Sequence, residues 1–235
     1  ARLERWGYDS VYCDGSPVEA PAATAPTVAA RSALELDVEE SRQMEQARKL
    51  YFSLLSFTVE PFNRFAESNR LDIADITERL KELIELVKSS RDTMLRLPEF
   101  VYISDNYLHQ HSLNCAILSL AIGDSLKLPP HRLIELGIGA LLHDIGMLKL
   151  PEALYLNPRQ LSPREWQMIK AHPMLSYRIL KGFSVSDTIA LTAYEHHERL
   201  DGTGYPRALA GEKITLYSRI LAVADSYESM TTKRP

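Results

Sequence analysis

The first 108 residues of this 235-residue chain contain no histidine, and all seven histidines fall between His109 and His197. Random surface placement does not produce that distribution. Cysteine is scarcer: Cys13 and Cys115 are the two present, far apart in the chain. That excludes a disulfide framework and fits free thiols in a reducing compartment. No uncharged run reaches the ~18 apolar residues of a membrane span, and no signal peptide is visible. The expectation is a cytoplasmic protein with no membrane partner. Positive charge is not in excess either. A net charge of -4 gives no general attraction to DNA or to anionic lipid, so an anionic substrate must be held by local cations or metals. The composition, 45% hydrophobic and 25% charged, is that of a globular protein able to bury a substantial core. The chain opens on "ARLERWGYDSVYCDG" rather than on Met, which reads as a piece of something longer.

"DSVYCDG" looks like a short strand and turn, so residues 1–14 read as the β remnant of an N-terminal domain. Residues 15–33 are rich in proline and alanine and lack large apolar side chains, as a linker does. From 34 to 98 the pattern is that of a helical hairpin. Met44, Ala47, Leu50, Leu54, Phe57 and Val59 approximate one stripe, with an interruption near Pro61. Ile76, Leu80, Leu83, Ile84 and Val87 form the other. The expected roles of this hairpin are packing on the following domain and homodimerisation. Residues 99–235 read as short helices with clear punctuation. Pro129-Pro130 opens a helix that Gly146 closes, and "SPRE" supplies Ser162 as N-cap with Glu165 at the capping-box position. "REWQMIKA" stops at His172-Pro173, Gly182 ends the next helix, and another runs from about Asp187 to Glu198. "LYSRILAVADSYESM" forms the last. The expected fold class is all-α.

The chemistry-bearing residues sit at helix ends: His143-Asp144 in "LLHDIG", His172, and the adjacent pair His196-His197 in "YEHHERLDGTGYP". His111 precedes them on a helix, and Asp225 lies inside the apolar "LAVAD", where an unpaired carboxylate is expensive to bury. Each has a bland explanation alone: a structural His-Asp pair, a helix cap, an internal ion pair. His109 and His131 read as surface or supporting residues. The ordered set is a normal composition for a site binding divalent transition metals through nitrogen and oxygen. Asp144 has two oxygens and could bridge two ions ~3.5–4 Å apart, which suits phosphoester hydrolysis by an activated water. No cysteine lies among these residues, which argues against a thiolate-rich structural zinc site.

The pieces "HQHSLNCAILSLA", "LLHDIG", "AHP", "HHERLDGTGYP" and "RILAVADSYESM" stand in the order and spacing of the HD-GYP family, which the sequence resembles from about residue 100 to 235. The resemblance implies an HD-type helical bundle and a bacterial signalling hydrolase. Its activity would be cyclic di-GMP phosphodiesterase, yielding linear pGpG and then GMP. It implies two divalent ions (Fe, Mn, Ni or Zn), with Asp144 and His143 at the catalytic centre. His111, His143, Asp144 and Asp225 would hold one ion, and Asp144 would bridge to a second held with His172 and His196. His197 would serve a further ion or support the others. Asp201, Gly202, Gly204, Tyr205 and Pro206 would shape a loop at the site's edge, associated with substrate and with diguanylate cyclase (GGDEF) partners. Arg234 would contact substrate phosphate.

Two positions depart from the family. Met147 stands where a lysine often holds phosphate, and Lys149 would point elsewhere. Tyr107 stands where three-metal members carry a glutamate, so two ions are expected. In the family the domain extends several tens of residues past "TTKRP", which implies an incomplete substrate pocket. Two other functions compete: a low-turnover regulatory module binding cyclic di-GMP or a cyclase partner, favoured by Met147, and an HD-type hydrolase of other nucleotides.

Overall fold

The computed structural model describes residues 33–100, 107–156 and 159–232. The expectations for residues 1–14, for the linker up to its last residue and for Arg234 lie outside the described residues. The chain divides into two units, Ala1–Glu40 and Ser41–Pro235. The described part of the first is the opening of helix α1.

The helices are α1 (Ala33–Ser68), α2 (Ile73–Ser89), α3 (Arg91–Phe100), α4 (Tyr107–Ser125), α5 (Pro130–Leu142), α6 (Pro163–Ile169), α7 (His172–Lys181), α8 (Asp187–Glu195) and α9 (Leu216–Thr231). Among the described residues, extended pairing is limited to one isolated bridge, Asp201 with Ala210. The fold is all-α.

Helix α4 organises the bundle because it is buried on nearly every side, from Leu108 and Gln110 through Leu120 and Ala121. A helix without a solvent face must lie at a centre. Around it α1, α2, α5, α7 and α8 contribute to one continuous core, in which Leu54, Phe62, Leu80, Leu83, Leu113, Ile117 and Leu142 are almost wholly buried. Each such side chain contributes about 1.5–3 kcal/mol. The stripe on α2 is the one its sequence predicts, Ile76, Leu80, Leu83, Ile84 and Val87. On α1 the stripe differs from expectation. Tyr51, Leu54, Leu55, Thr58, Phe62 and Phe65 are buried, while Leu50, Phe57 and Val59 are partly exposed. Pro61 does not interrupt α1 but lies inside it. The burial of Phe62 next to it and of Phe65 one turn on holds the helical path, and tertiary packing outweighs the lost backbone bond. The hairpin also has a third helix, α3, whose Met94 and Leu97 enter the same core.

Three boundaries move, and all three matter for the site. Helix α5 ends at Leu142 with His143 as its C-cap, before Gly146, which lies in a 3-10 turn spanning Ile145–Lys149. Helix α6, with the Ser162–Glu165 capping box as expected, stops at Ile169, so His172-Pro173 open α7 instead of closing α6. Proline is well tolerated in a first helical turn. Helix α8 ends at Glu195, with His196 as its cap, three residues short of Glu198.

Candidate metal centre

Helix ends and the buried face of α4 bring the histidines to one point. Asp144 sits in the middle, and its two oxygens face different imidazoles. Oδ2 lies 3.4 Å from His143 Nε2 and 3.6 Å from His111 Nε2. Oδ1 lies 3.1 Å from His172 Nε2 and 3.7 Å from His196 Nε2. Asp225 on α9 closes the first group, with Oδ1 at 3.4 Å from His111 Nε2, and its Oδ2 is 3.7 Å from His197 Nδ1. All seven residues named from the sequence as metal ligands therefore share one cluster. His109 and His131 stand apart. His131 is exposed, whereas His109 is partly buried and packs edge-on against Phe62 with both ring nitrogens buried.

The hydrogen bonds on the far side of each ring decide what the near side can do. His143 Nδ1 donates to Ala140 O at 2.8 Å, His172 Nδ1 to Ile169 O at 2.7 Å, and His196 Nδ1 to Ala193 O at 2.8 Å. In each case the carbonyl belongs to the residue three positions earlier, so the helical turn itself sets the tautomer. His111 Nδ1 instead faces Glu228 Oε2 at 2.7 Å. With Nδ1 as donor, a neutral ring turns the Nε2 lone pair inward. Neutral rings at His143 and His111 would then meet lone pair to lone pair at 3.3 Å, and those at His172 and His196 at 3.2 Å. Asp144 Oδ1, buried among them, has no hydrogen-bond donor. Such an arrangement is repulsive unless cations lie between the groups, and the donor set fits divalent transition metals.

Electrostatics say the same. Burial disfavours charge on His143, yet the Asp144 carboxylate beside it prevails and raises it to about 9. Burial would also raise Asp144, but His143 and His172 hold its carboxyl well below the usual range. His196 is pushed well below the usual imidazole value by burial and by His197, His143 and His172. Burial and His172 push His197 down to about 4. Without metal, His143 therefore holds a proton that His196 and His197 do not.

The loop after α8 forms one wall. Buried Glu198 accepts from the backbone N–H groups of Arg207 (2.6 Å) and Leu209 (2.9 Å), and Glu195 accepts from Thr215 N (3.1 Å) and Arg207 Nη1 (3.1 Å). These two carboxylates hold the loop that follows α8, and sequence reasoning missed both. Gly204 has no alternative, since a Cβ there would fall 2.4 Å from Arg199 N and 2.5 Å from Glu198 Cα. Tyr205 stacks on His197 with ring centroids 4.8 Å apart, under Lys170 Nζ at 5.3 Å. Asp201 is exposed and bonds to Thr203 within the loop, at 2.9 Å to its N–H. Gly146 has a comparable role beside the cluster: its missing Cβ would lie 2.5 Å from His172 O, so only glycine lets the Asp144 turn approach α7.

A cleft of about 680 Å3 opens beside the cluster, lined by Tyr107, Asp144, Met147, Tyr155, Arg159, Trp166, His197 and Tyr205 among others. Met147 faces it and is 7% exposed. Lys149 does point elsewhere, donating to Asn69 Oδ1 at 2.7 Å and lying over the Phe65 ring. Tyr107 stacks on His111 with centroids 5.8 Å apart. The expectation that no cysteine lies near the cluster is corrected. Cys115, one turn after His111, puts its sulfur 3.7 Å from His111 Nε2 and 3.8 Å from Nδ1. The i, i+4 spacing was visible in the sequence; that both residues face inward was not.

This bundle, with histidines and aspartates from five of its helices and their ends converging on one carboxylate, defines a metal-type phosphohydrolase fold. The chain belongs to the HD domain family, whose model matches residues 96–235. It is 32% identical over 220 residues to cyclic di-GMP phosphodiesterase PA4108 of Pseudomonas aeruginosa, covering 93% of this chain and 51% of that protein. It is 38% identical over 135 residues to cyclic di-GMP phosphodiesterase PdeB of Borreliella burgdorferi, covering 57% of this chain and 35% of that protein. The chain thus spans about half or less of these relatives' length. Bd1817, an HDG"Y"P protein from Bdellovibrio bacteriovorus, has the same fold, with a TM-score of 0.64 and 18% identity over 87% of this chain and 72% of that one. Among the described residues no helix is long and apolar enough to cross a membrane.

Proposed function

We propose that this chain carries the catalytic centre of a metal-dependent phosphodiesterase that opens cyclic di-GMP to linear pGpG, with GMP as the product of a second cut. The observation that carries the reading is Asp144, whose two oxygens face two separate pairs of inward-pointing imidazole nitrogens. We assign His111, His143, Asp144 and Asp225 to one ion and Asp144, His172 and His196 to a second. His197 stands at the cleft wall. Bound divalent ions supply the Lewis acidity that polarises a phosphoryl oxygen and makes a nucleophile available at neutral pH. The chain's own residues orient and enclose. Helix-end carbonyls fix the imidazole tautomers, and Tyr205, held on His197, offers a hydroxyl that burial and the Asp144 and Asp225 charges keep protonated. Trp166 and Tyr155 give the cleft aromatic surface for nucleobases.

We also assign the loop from Asp201 to Pro206 to contacts with GGDEF-type cyclases, the α1–α2 pair to homodimerisation, and the cytoplasm as the compartment. The test is metal analysis together with hydrolysis of cyclic di-GMP. Wild-type protein should hold divalent metal and cleave; a protein that binds metal tightly yet cleaves neither this nor related cyclic dinucleotides contradicts the reading. A second reading, a regulatory module that binds the nucleotide with little turnover, is favoured by one observation. Met147 lines the cleft where a cation would help, and Lys149 is engaged with Asn69 and Phe65.

A further inference from the structure

His111 differs from its neighbours because its far nitrogen rests on a side chain, and that side chain belongs to a longer series. Glu228 on α9 accepts from His111 through Oε2 at 2.7 Å, and its Oε1 accepts from Asn114 Nδ2 at 3.1 Å. Asn114 Oδ1 in turn accepts from the Tyr51 hydroxyl at 2.9 Å. Tyr51 and Asn114 are 0% exposed, Glu228 1% and His111 3%. The series crosses three helices, α1, α4 and α9.

Its direction is held at both ends, by a Glu228 carboxylate that only accepts and a Tyr51 hydroxyl that donates. An amide can turn over, exchanging its donor and acceptor. The Tyr51 hydroxyl donates, so it holds the oxygen of Asn114 toward α1 and the NH2 toward Glu228. Burial pushes the hydroxyl's pKa up, so it keeps the proton it donates. Without it the Asn114 oxygen loses this donor, and the amide that donates to Glu228 is held by one bond fewer.

We propose that Tyr51 is a positioning residue for the metal centre: through Asn114 and Glu228 it holds His111 at the ion, so that metal affinity depends on where helix α1 lies. The proposal rests on the metal-centre reading above. Helix α1 runs unbroken from Ala33 to Ser68, and Tyr51 is near its middle. A displacement of α1 that lengthens one 2.9 Å bond would loosen one ion and leave the His172–His196 side untouched.

The experiment titrates the metal-free chain with Zn2+ against a competing chelator, beside thermal unfolding of the metal-free form. Tyr51→Phe keeps the ring in the core and removes the hydroxyl. It should weaken one of two ions about two- to tenfold, the range of a single hydrogen bond. Glu228→Gln should weaken the same ion about ten- to hundredfold. Leu54→Val, a packing change on the same helix, should lower the melting temperature yet leave both affinities within twofold. If Tyr51→Phe leaves both affinities within twofold while Glu228→Gln weakens one, the relay stops at Glu228 and the proposal is overturned. The metal-centre reading then stands. If Leu54→Val weakens binding as much as Tyr51→Phe, the effect is general destabilisation and the proposal is equally overturned. A wild-type chain that binds no Zn2+ overturns both readings.

Discussion

The two sides of Asp144 are built differently. On the His172–His196 side both far nitrogens rest on backbone carbonyls one helical turn back, Ile169 O and Ala193 O. That support is local to α6–α7 and α8, and no side-chain change removes it. On the other side His143 rests likewise on Ala140 O, but His111 rests on Glu228, more than a hundred residues away in sequence and itself bonded to Asn114. A carboxylate also makes a ring a stronger donor than a carbonyl does. One half of the centre is thus fixed by local helix geometry alone, and the other contains one ring, His111, whose support comes from side chains of distant helices.

The largest expected effect tests what the halves share. Asp144→Ala should leave at most one ion per chain and lower hydrolysis by at least about a thousandfold, since the shared ligand is lost. Full occupancy with ordinary turnover would remove the two-ion assignment. Next, substitution of each half should separate them. Glu228→Gln should cost about ten- to hundredfold in the affinity of one ion only, read by chelator competition; equal weakening of both would erase the distinction between the sides.

Smaller, and on substrate instead of metal, is Met147→Lys. A cation reaching a phosphate gains about 1.5–3 kcal/mol, part of which is lost in desolvating a lysine at a buried position. KM for cyclic di-GMP should fall about tenfold with metal content unchanged. A gain below twofold would show that another cation already serves, and the regulatory reading would lose its main support.

The smallest effect is a proton. His143, raised to about 9 from an ordinary 6.5, is protonated at pH 7 in the metal-free fold. Its contribution to stability is present in full below the unfolded value of 6.5 and is lost as pH rises through about 9. Metal must displace that proton, so uptake at pH 7 should release about one, and affinity should rise with pH up to about 9. His197, lowered to about 4, is already neutral and should release none. Calorimetry in two buffers of different ionisation enthalpy reads the count, and a count of zero would contradict the charge state given to His143.

Much of this was legible in the chain. Helix α2 and its stripe, the capping box at Ser162 and the span of α9 follow from local chemistry. The seven ligand-type residues stand out because buried imidazoles and an aspartate inside "LAVAD" have few other uses. What was not legible is what depends on contacts between distant segments. Pro61 inside α1 contradicts a local rule because packing prevails. His172 opens a helix where proline seemed to close one. Glu195 and Glu198 hold the loop after α8 by collecting N–H groups that no periodicity reveals.

By itself, then, the sequence determined which side chains can bind metal and that helices carry them, because residue type and helical period are local properties. The tertiary structure alone decided that Asp144 turns its two oxygens to two pairs of rings. It also decided that Cys115 lies against His111 and that Tyr51, Asn114 and Glu228 stand behind it. Those relations depend on how α1, α4, α5 and α9 pack, and a hydrogen bond between residues 51 and 114 leaves no mark in either segment's own pattern.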